Sequence, residues 1–170
     1  LWNGGLGDHW ASINLLAHIS LRSRREVLFS SHGSPKIEAR HREILEARNL
    51  GDAYLVRHIG PGNTNLDGFN VWATPNYPTH QRWPGAPHRP YICTHFDGEA
   101  AAADKNPPAQ EQRDIAEWAK ANGLDVVRLG DGIPLTTVSL LLSRCTFFVG
   151  CDSGMSHVAH STGCPVYLLE

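Results

Sequence analysis

The sequence predicts an α/β fold, with a mainly parallel sheet flanked by helices. Two observations carry this. Short apolar runs rich in β-branched and aromatic residues recur along the chain, each bounded by Gly, Pro, Ser or Asp; buried strands of a parallel sheet read this way. Between them lie segments whose apolar residues recur at helical spacing. Strand–helix alternation over most of a chain selects parallel strands joined by crossover helices. With 170 residues, the chain makes one ordinary domain or two very small ones and can bury about two-thirds of its unfolded surface.

Taken in order, the chain opens on NGGLGDHW (3–10), where Gly4, Gly5 and Gly7 permit a tight loop and Asp8 begins a helix over 8–23. Trp10, Ile13, Leu16 and Ala17 form its inward stripe. A strand is expected before this first glycine turn, outside the sequence. A strand follows over 26–30, then a helix over 35–51 that starts at Pro35, turns Ile37, Ile44 and Leu45 inward and stops at Gly51. The next strand is 53–59. The segment 60–90 breaks the rhythm: it is rich in Pro and Gly and long for a structureless connection. It reads as a functional loop or a linker, and as the seam between two halves, 1–86 and 87–170. Within it Trp72, Tyr77, His80, Arg82 and Trp83 suit stacking on a sugar or base, and equally suit pinning a long loop to the core. Beyond the seam come a strand (91–95), a helix (107–123), a strand (125–129), a short apolar helix (134–144) and a strand (145–150). The 107–123 helix has Pro at its start, Ile115, Trp118 and Ala119 as its stripe, and Gly123 as its stop. A short helix carrying His157 and His160 and a strand (165–170) close the chain. A single sheet built from both halves is the alternative to two lobes.

Composition narrows the function. The net charge is −2 with neutral His, so nothing marks a nucleic-acid surface or an anionic membrane as partner. A hydrophobic fraction of 41% is far from the disordered class. The ten His make the charge sensitive to pH below neutrality. Four Cys stand at 93, 145, 151 and 164, none in a CxxC pair. Cys93 and Cys145 fall in apolar runs, where Cys packs as a small hydrophobe; reduced thiols and a cytoplasmic setting are expected. No run of 18 apolar residues exists, so no integral membrane segment is expected, and no signal peptide is visible.

The closing stretch FFVGCDSGMSHVAHSTGCPVYLLE (147–170) reads strand, polar turn, helix, strand. Ligands of parallel sheets bind beyond the carboxyl ends of strands, where Gly150–Ser156 sits. Small residues there admit a ligand to the backbone. Asp152 or Ser153 caps the following helix, whose free N–H groups attract an anion such as phosphate. The hydroxyls of Ser153 and Ser156 and the imidazole of His157 complete a cradle. Asp and Ser also occur at helix starts for capping alone, and Asp8 has the same bland reading. GCDSG is no nucleophile elbow, because its leading Gly is one place too far from Ser153. His157, His160, Cys151 and Cys164 lack the close pairing of a metal site, so no metal is expected.

This stretch resembles the C-terminal signature of the heptosyltransferase-type glycosyltransferases, the ADP-heptose:lipopolysaccharide group with the GT-B fold. Gly150, Asp152, Ser153, Gly154, His157, Ala159, Gly163, Pro165 and Val166 stand in register with its G-x-D-[ST]-G-x-x-H-x-A-x-x-x-G-x-P-V pattern. The segment 91–131 also looks like that family's C-terminal half. The resemblance implies a Rossmann-like, reduced GT-B architecture and transfer of a sugar from a nucleotide-diphosphate sugar to an acceptor hydroxyl. It places the donor at Asp152, Ser153, Gly154, Ser156 and His157. It makes Asp8 the general base, with Gly5 and Gly7 as the acceptor-side loop. Lys105 corresponds loosely to a family lysine that contacts phosphate, and equally reads as a solvated loop lysine. The partners implied are the nucleotide sugar and a saccharide acceptor. No cofactor is implied beyond that substrate. A full GT-B enzyme has about twice this length, so the chain is a miniature relative, a fragment, or a domain that kept the donor pocket without catalysis. A homodimer would supply cover over the site. The alternatives are a non-catalytic nucleotide or sugar-phosphate binding module and a structural remnant without ligand.

Overall fold

Apolar runs and their Gly and Pro boundaries become an alternating series of strands and helices in the computed structural model, which describes residues 5–24, 27–31, 35–48, 56–61, 89–98, 105–130 and 132–169. The order is α1 (Leu6–Ser23), β1 (Val27–Ser31), α2 (Pro35–Arg48), β2 (Val56–Pro61), β3 (Tyr91–His95), α3 (Ala109–Ala121), β4 (Asp125–Arg128), α4 (Leu135–Arg144), β5 (Phe148–Gly150), α5 (Gly154–Ser161) and β6 (Val166–Leu168). Helices α2, α3 and α4 start at or just after a proline. The aromatic loop residues Trp72, Tyr77, His80, Arg82 and Trp83, and the Gly51 stop, lie outside the described residues.

Among the described residues the strands form two sheets rather than one: a β1–β2 pair, and a four-stranded sheet in the order β4-β3-β5-β6. All pairings are parallel, the α/β class expected of this alternation. In the larger sheet the chain steps outward from β3 to β4, then reverses past β3 to β5 and continues to β6. Right-handed crossovers put α3 on one face and α4 with α5 on the other. The contacts agree: α3 packs on β4, and α4 touches α5. The two halves meet through helices, α1 against α5 and α2 against α4.

One core spans both halves. Trp10, Ile13 and Leu16 of α1 and Ile44 and Ala47 of α2 join Tyr91, Cys93, Leu129, Leu135, Val138, Leu142, Phe148, Val158 and Ala159 in a single buried cluster. The expected α1 stripe is buried, but so is every residue from His9 to Ala17, because the helix is covered by β1, β2, α2 and α5. Buried polar groups there need partners. His9 Nδ1 lies 2.9 Å from His41 Nε2 of α2. The Leu135 N–H, one of the orphan donors at the start of α4, reaches the Glu43 carboxylate of α2 at 2.9 Å.

Three expectations need correction. In α3 only Ala119 of the stripe is buried; Trp118 is 51% exposed, resting its ring 6.0 Å from that of Phe147. Among the described residues no second helix joins it on that sheet face, so its flank stays wet. The strand expected at 145–150 starts only at Phe148, because Cys145 caps α4. The strand expected over 53–59 runs on to Pro61; its expected start, 53–55, lies outside the described residues.

The first turns of α1 and α5 touch backbone to backbone. A Cβ on Gly154 would lie 2.6 Å from Leu6 Cβ and 2.8 Å from the Gly7 nitrogen; one on Gly7 would lie 2.9 Å from His157 Cδ2. Gly154→Ala is expected to cost about 1–3 kcal/mol through overpacking. Gly130→Ala, whose Cβ would meet nothing within 4 Å, serves as the near-neutral control. Urea denaturation of the two variants checks this.

Candidate functional site

The strand order locates the site. The chain leaves β3 toward α3 on one face and leaves β5 toward α5 on the other, so a crevice opens between the carboxyl ends of β3 and β5. His95, the last residue of β3, pairs with Gly150, the last of β5. A Cβ at Gly150 would strike the His95 carbonyl and the Phe148 ring, so only glycine lets the strands stay this close while the turn begins.

The β5 side of the crevice is the 151–153 turn. The Cys151 N–H bonds the His95 carbonyl at 3.3 Å, holding the turn to β3. Ser153 takes the N-cap position of α5 in extended conformation (φ −149, ψ 174). Its hydroxyl lies 3.3 Å from His95 Nδ1, with the hydrogen-bond direction set by the histidine tautomer. Ser156 is buried; its hydroxyl donates to the Ser153 carbonyl at 2.7 Å and accepts the Ser153 N–H at 3.4 Å. Ser156 therefore shapes the turn, while Ser153 and the exposed Asp152 front the crevice.

The β3 side supplies Lys105 and Asn106. Lys105 Nζ reaches Asp152 Oδ2 at 3.1 Å, with both side chains about half exposed. Such a pair is worth under about 1 kcal/mol and yields readily to a competing anion. Asn106 Oδ1 accepts the Gly98 N–H at 2.7 Å and faces Cys151 Sγ at 3.7 Å, which fixes the Lys105 backbone beside the turn.

The third wall comes from α1. Gly5 is its N-cap. The exposed Asp8 accepts the Gly5 N–H at 2.9 Å, and its carbonyl accepts the Ser12 hydroxyl at 2.6 Å. Gly7 abuts His157 and Gly154. Two helix N-termini, each a positive dipole end, thus meet at one place, with Asp8, Asp152 and Lys105 around them. Half-buried His157 stands between. Burial pushes its pKa below the usual 6.5, while Asp152 and then Asp8 pull it back and His160 adds to the lowering.

Every residue read from the sequence as a site residue is therefore at this crevice or on its walls: Gly5, Gly7, Asp8, Lys105, Asp152, Ser153, Gly154, Ser156 and His157. His95 and Asn106 were missed. His95 had a signal, since it ends an apolar strand, where ligand-facing residues of parallel sheets sit. Among the described residues no group of three His, Cys, Asp or Glu side chains is arranged to hold a metal ion, and no helix is long and apolar enough to cross a membrane.

A depressed His157 pKa means that the unfolded chain binds the proton more tightly. Its contribution makes stability fall as pH drops below 6.5. The imidazole should titrate by NMR with a midpoint below 6.5, and Asp152→Asn should lower that midpoint further. A midpoint at or above 6.5 contradicts the burial seen here.

No protein-family model matches the chain, and no curated protein sequence matches it. Solved structures do. E. coli ADP-heptose lps heptosyltransferase II matches with a TM-score of 0.57 at 15% identity, over 96% of this chain and 81% of that one. Two structures of TibC match less of it. One is the dodecameric iron-containing heptosyltransferase in complex with ADP-D-beta-D-heptose, at 24% identity, 55% of this chain and TM-score 0.46. The other is the iron-containing dodecameric glycosyltransferase from enterotoxigenic E. coli H10407, at 25% identity, 54% of this chain and TM-score 0.45. The chain spans 30% and 29% of those two chains. In fold, this protein resembles the heptosyltransferases.

Proposed function

We propose that this chain binds a nucleotide-diphosphate sugar in the β3–β5 crevice and transfers the sugar to an acceptor hydroxyl. One observation carries the reading: the glycine contact of α1 with α5 brings Asp8, the 152–154 turn, His157 and Lys105 around a single crevice. The donor diphosphate lies against the start of α5, taking hydrogen bonds from its free N–H groups and from Ser153. It competes with Asp152 for Lys105. His157, held neutral, donates or accepts a hydrogen bond there without charge. Gly5 leaves the acceptor room beside Asp8, while Gly7 is buried against His157 and Gly154.

In transfer, the acceptor oxygen attacks the anomeric carbon and its proton passes to the Asp8 carboxylate. The bond from that carbon to the diphosphate oxygen breaks. The charge left on the diphosphate is met by the α5 N-terminus and Lys105, groups already aimed before the reaction starts.

A second reading has its own observation. Asp8 already accepts the Gly5 N–H, which satisfies a helix cap and demands no chemistry. On that reading the chain binds a nucleotide or sugar phosphate without transfer.

Thermal shift of the chain against nucleotides and nucleotide sugars tests the donor site. A ligand at 100 times its Kd adds about 2.7 kcal/mol of stability, and Ser153→Ala or Lys105→Ala should shrink the shift. No shift for any donor class removes the proposal. Asp8→Asn separates the readings: sugar transfer should fall roughly 10²–10⁴-fold with donor affinity nearly unchanged. Donor binding with no transfer by the unaltered chain supports the binding module.

A further inference from the structure

Three of the four cysteines converge at the opposite end of the large sheet from the crevice. Cys93 lies within β3, Cys145 caps α4 just before β5, and Cys164 precedes β6. The Cys145 and Cys164 Sγ atoms are 3.1 Å apart, and Cys93 lies near enough for both to perturb it and for it to perturb Cys145. Cys93 is fully buried and Cys164 is 7% exposed, while Cys145 is half-buried. Taken as a whole residue, Cys145 is the most exposed of the three. Cys151 stands apart, turned to the His95 carbonyl at 3.8 Å.

The environment divides the three thiols. Interaction with Cys164, and then with Cys93, holds the Cys145 pKa down. The same interaction with Cys145, together with burial, pushes Cys93 and Cys164 up. The Leu142 carbonyl, 3.3 Å from Cys145 Sγ, accepts a hydrogen bond from the Cys145 S–H when that thiol is neutral. A thiolate-prone thiol on the more exposed residue, 3.1 Å from a protonated thiol on a buried one, is the arrangement of an attacking and a resolving cysteine.

We propose that Cys145 and Cys164 form a reversible disulfide, with Cys145 as the thiol that meets a peroxide. The Cys145 thiolate attacks one peroxide oxygen; the O–O bond breaks, a sulfenic acid forms, and the departing hydroxide takes a proton to become water. Cys164 gives up its proton and its sulfur attacks Cys145 Sγ; the S–O bond breaks and a second water leaves. The sulfur pair loses two electrons and the peroxide gains them. A dithiol reverses the step by exchange. The sulfurs must close from 3.1 Å to a bond length of about 2.05 Å, a shift within side-chain reach. The two cysteines are 19 positions apart. The closed loop encloses β5, the Asp152–His157 turn and α5, so both ends of the segment that builds the crevice become tied. This inference does not depend on the donor-binding reading.

The test is mass spectrometry of the reduced full chain after hydrogen peroxide, followed by alkylation and peptide mapping. Free thiols should fall from four to two, with a Cys145–Cys164 cross-link that dithiothreitol removes. In Cys164→Ser, Cys145 should instead be trapped by dimedone as the sulfenic acid. The mapping of the unaltered chain decides even if that variant does not fold. Four free thiols after treatment, oxygen adducts on Cys145 without a cross-link, or a cross-link through any other pair would each overturn the proposal.

Discussion

The contact between the first turns of α1 and α5 is the constraint on which the rest depends. Backbones come this close only where side chains are missing, and Gly7 and Gly154 face each other there. The strands cannot join the halves, because among the described residues they belong to separate sheets. The helices do the joining, and this crossing sets their distance. With it set, Trp10 and Ile13 of α1 reach the same core as Val158 and Ala159 of α5. Asp8 and His157 become neighbours by the same contact. Stability and site geometry therefore rest on one pair of glycines.

Bringing two helix N-termini together has an electrostatic cost, since like dipole ends repel. The local charges answer it. Asp8 takes the N–H of Gly5, and Asp152 stands at the start of α5 while holding Lys105 at 3.1 Å. The charges around the crevice are thus nearly balanced. On the proposed reading, a donor diphosphate would take over the role of Asp152 toward Lys105 and the helix end; both partners are half exposed, so that exchange would require little desolvation. Partial burial holds the His157 pKa below its usual value, which disfavours a further positive charge there.

Away from the crevice, polar groups lock the helices in register. Burying α1 on several sides carries His9, Ser12 and Asn14 into the interior, where a bare polar group costs about 1–3 kcal/mol. The His9–His41 contact fixes α1 against α2. The Glu43 bond to the Leu135 amide fixes α2 against α4. Apolar contact is tolerant of sliding; these directional bonds are not. They hold the first half in place beside the larger sheet and so keep Asp8 at the crevice.

The sequence by itself determined the alternation of elements, the parallel class and the closing turn. Each of these is local: Phe148 and Val149 sit next to the Gly that ends their strand, Pro35 marks a helix start, and Gly150 to His157 are consecutive. Tertiary structure alone decided what lies across space. Nothing local to Gly7 shows that Gly154 will meet it, or that Asp8 will stand near His157. His95 and Asn106 became site residues only when β3 was placed beside β5, and Cys145 met Cys164 only when α4 and α5 packed on one face. Trp118 fits an inward stripe by spacing, yet it is exposed because no second helix covers that face among the described residues. Periodicity records which side of an element is apolar; which elements share that side is settled by the path of the chain between them.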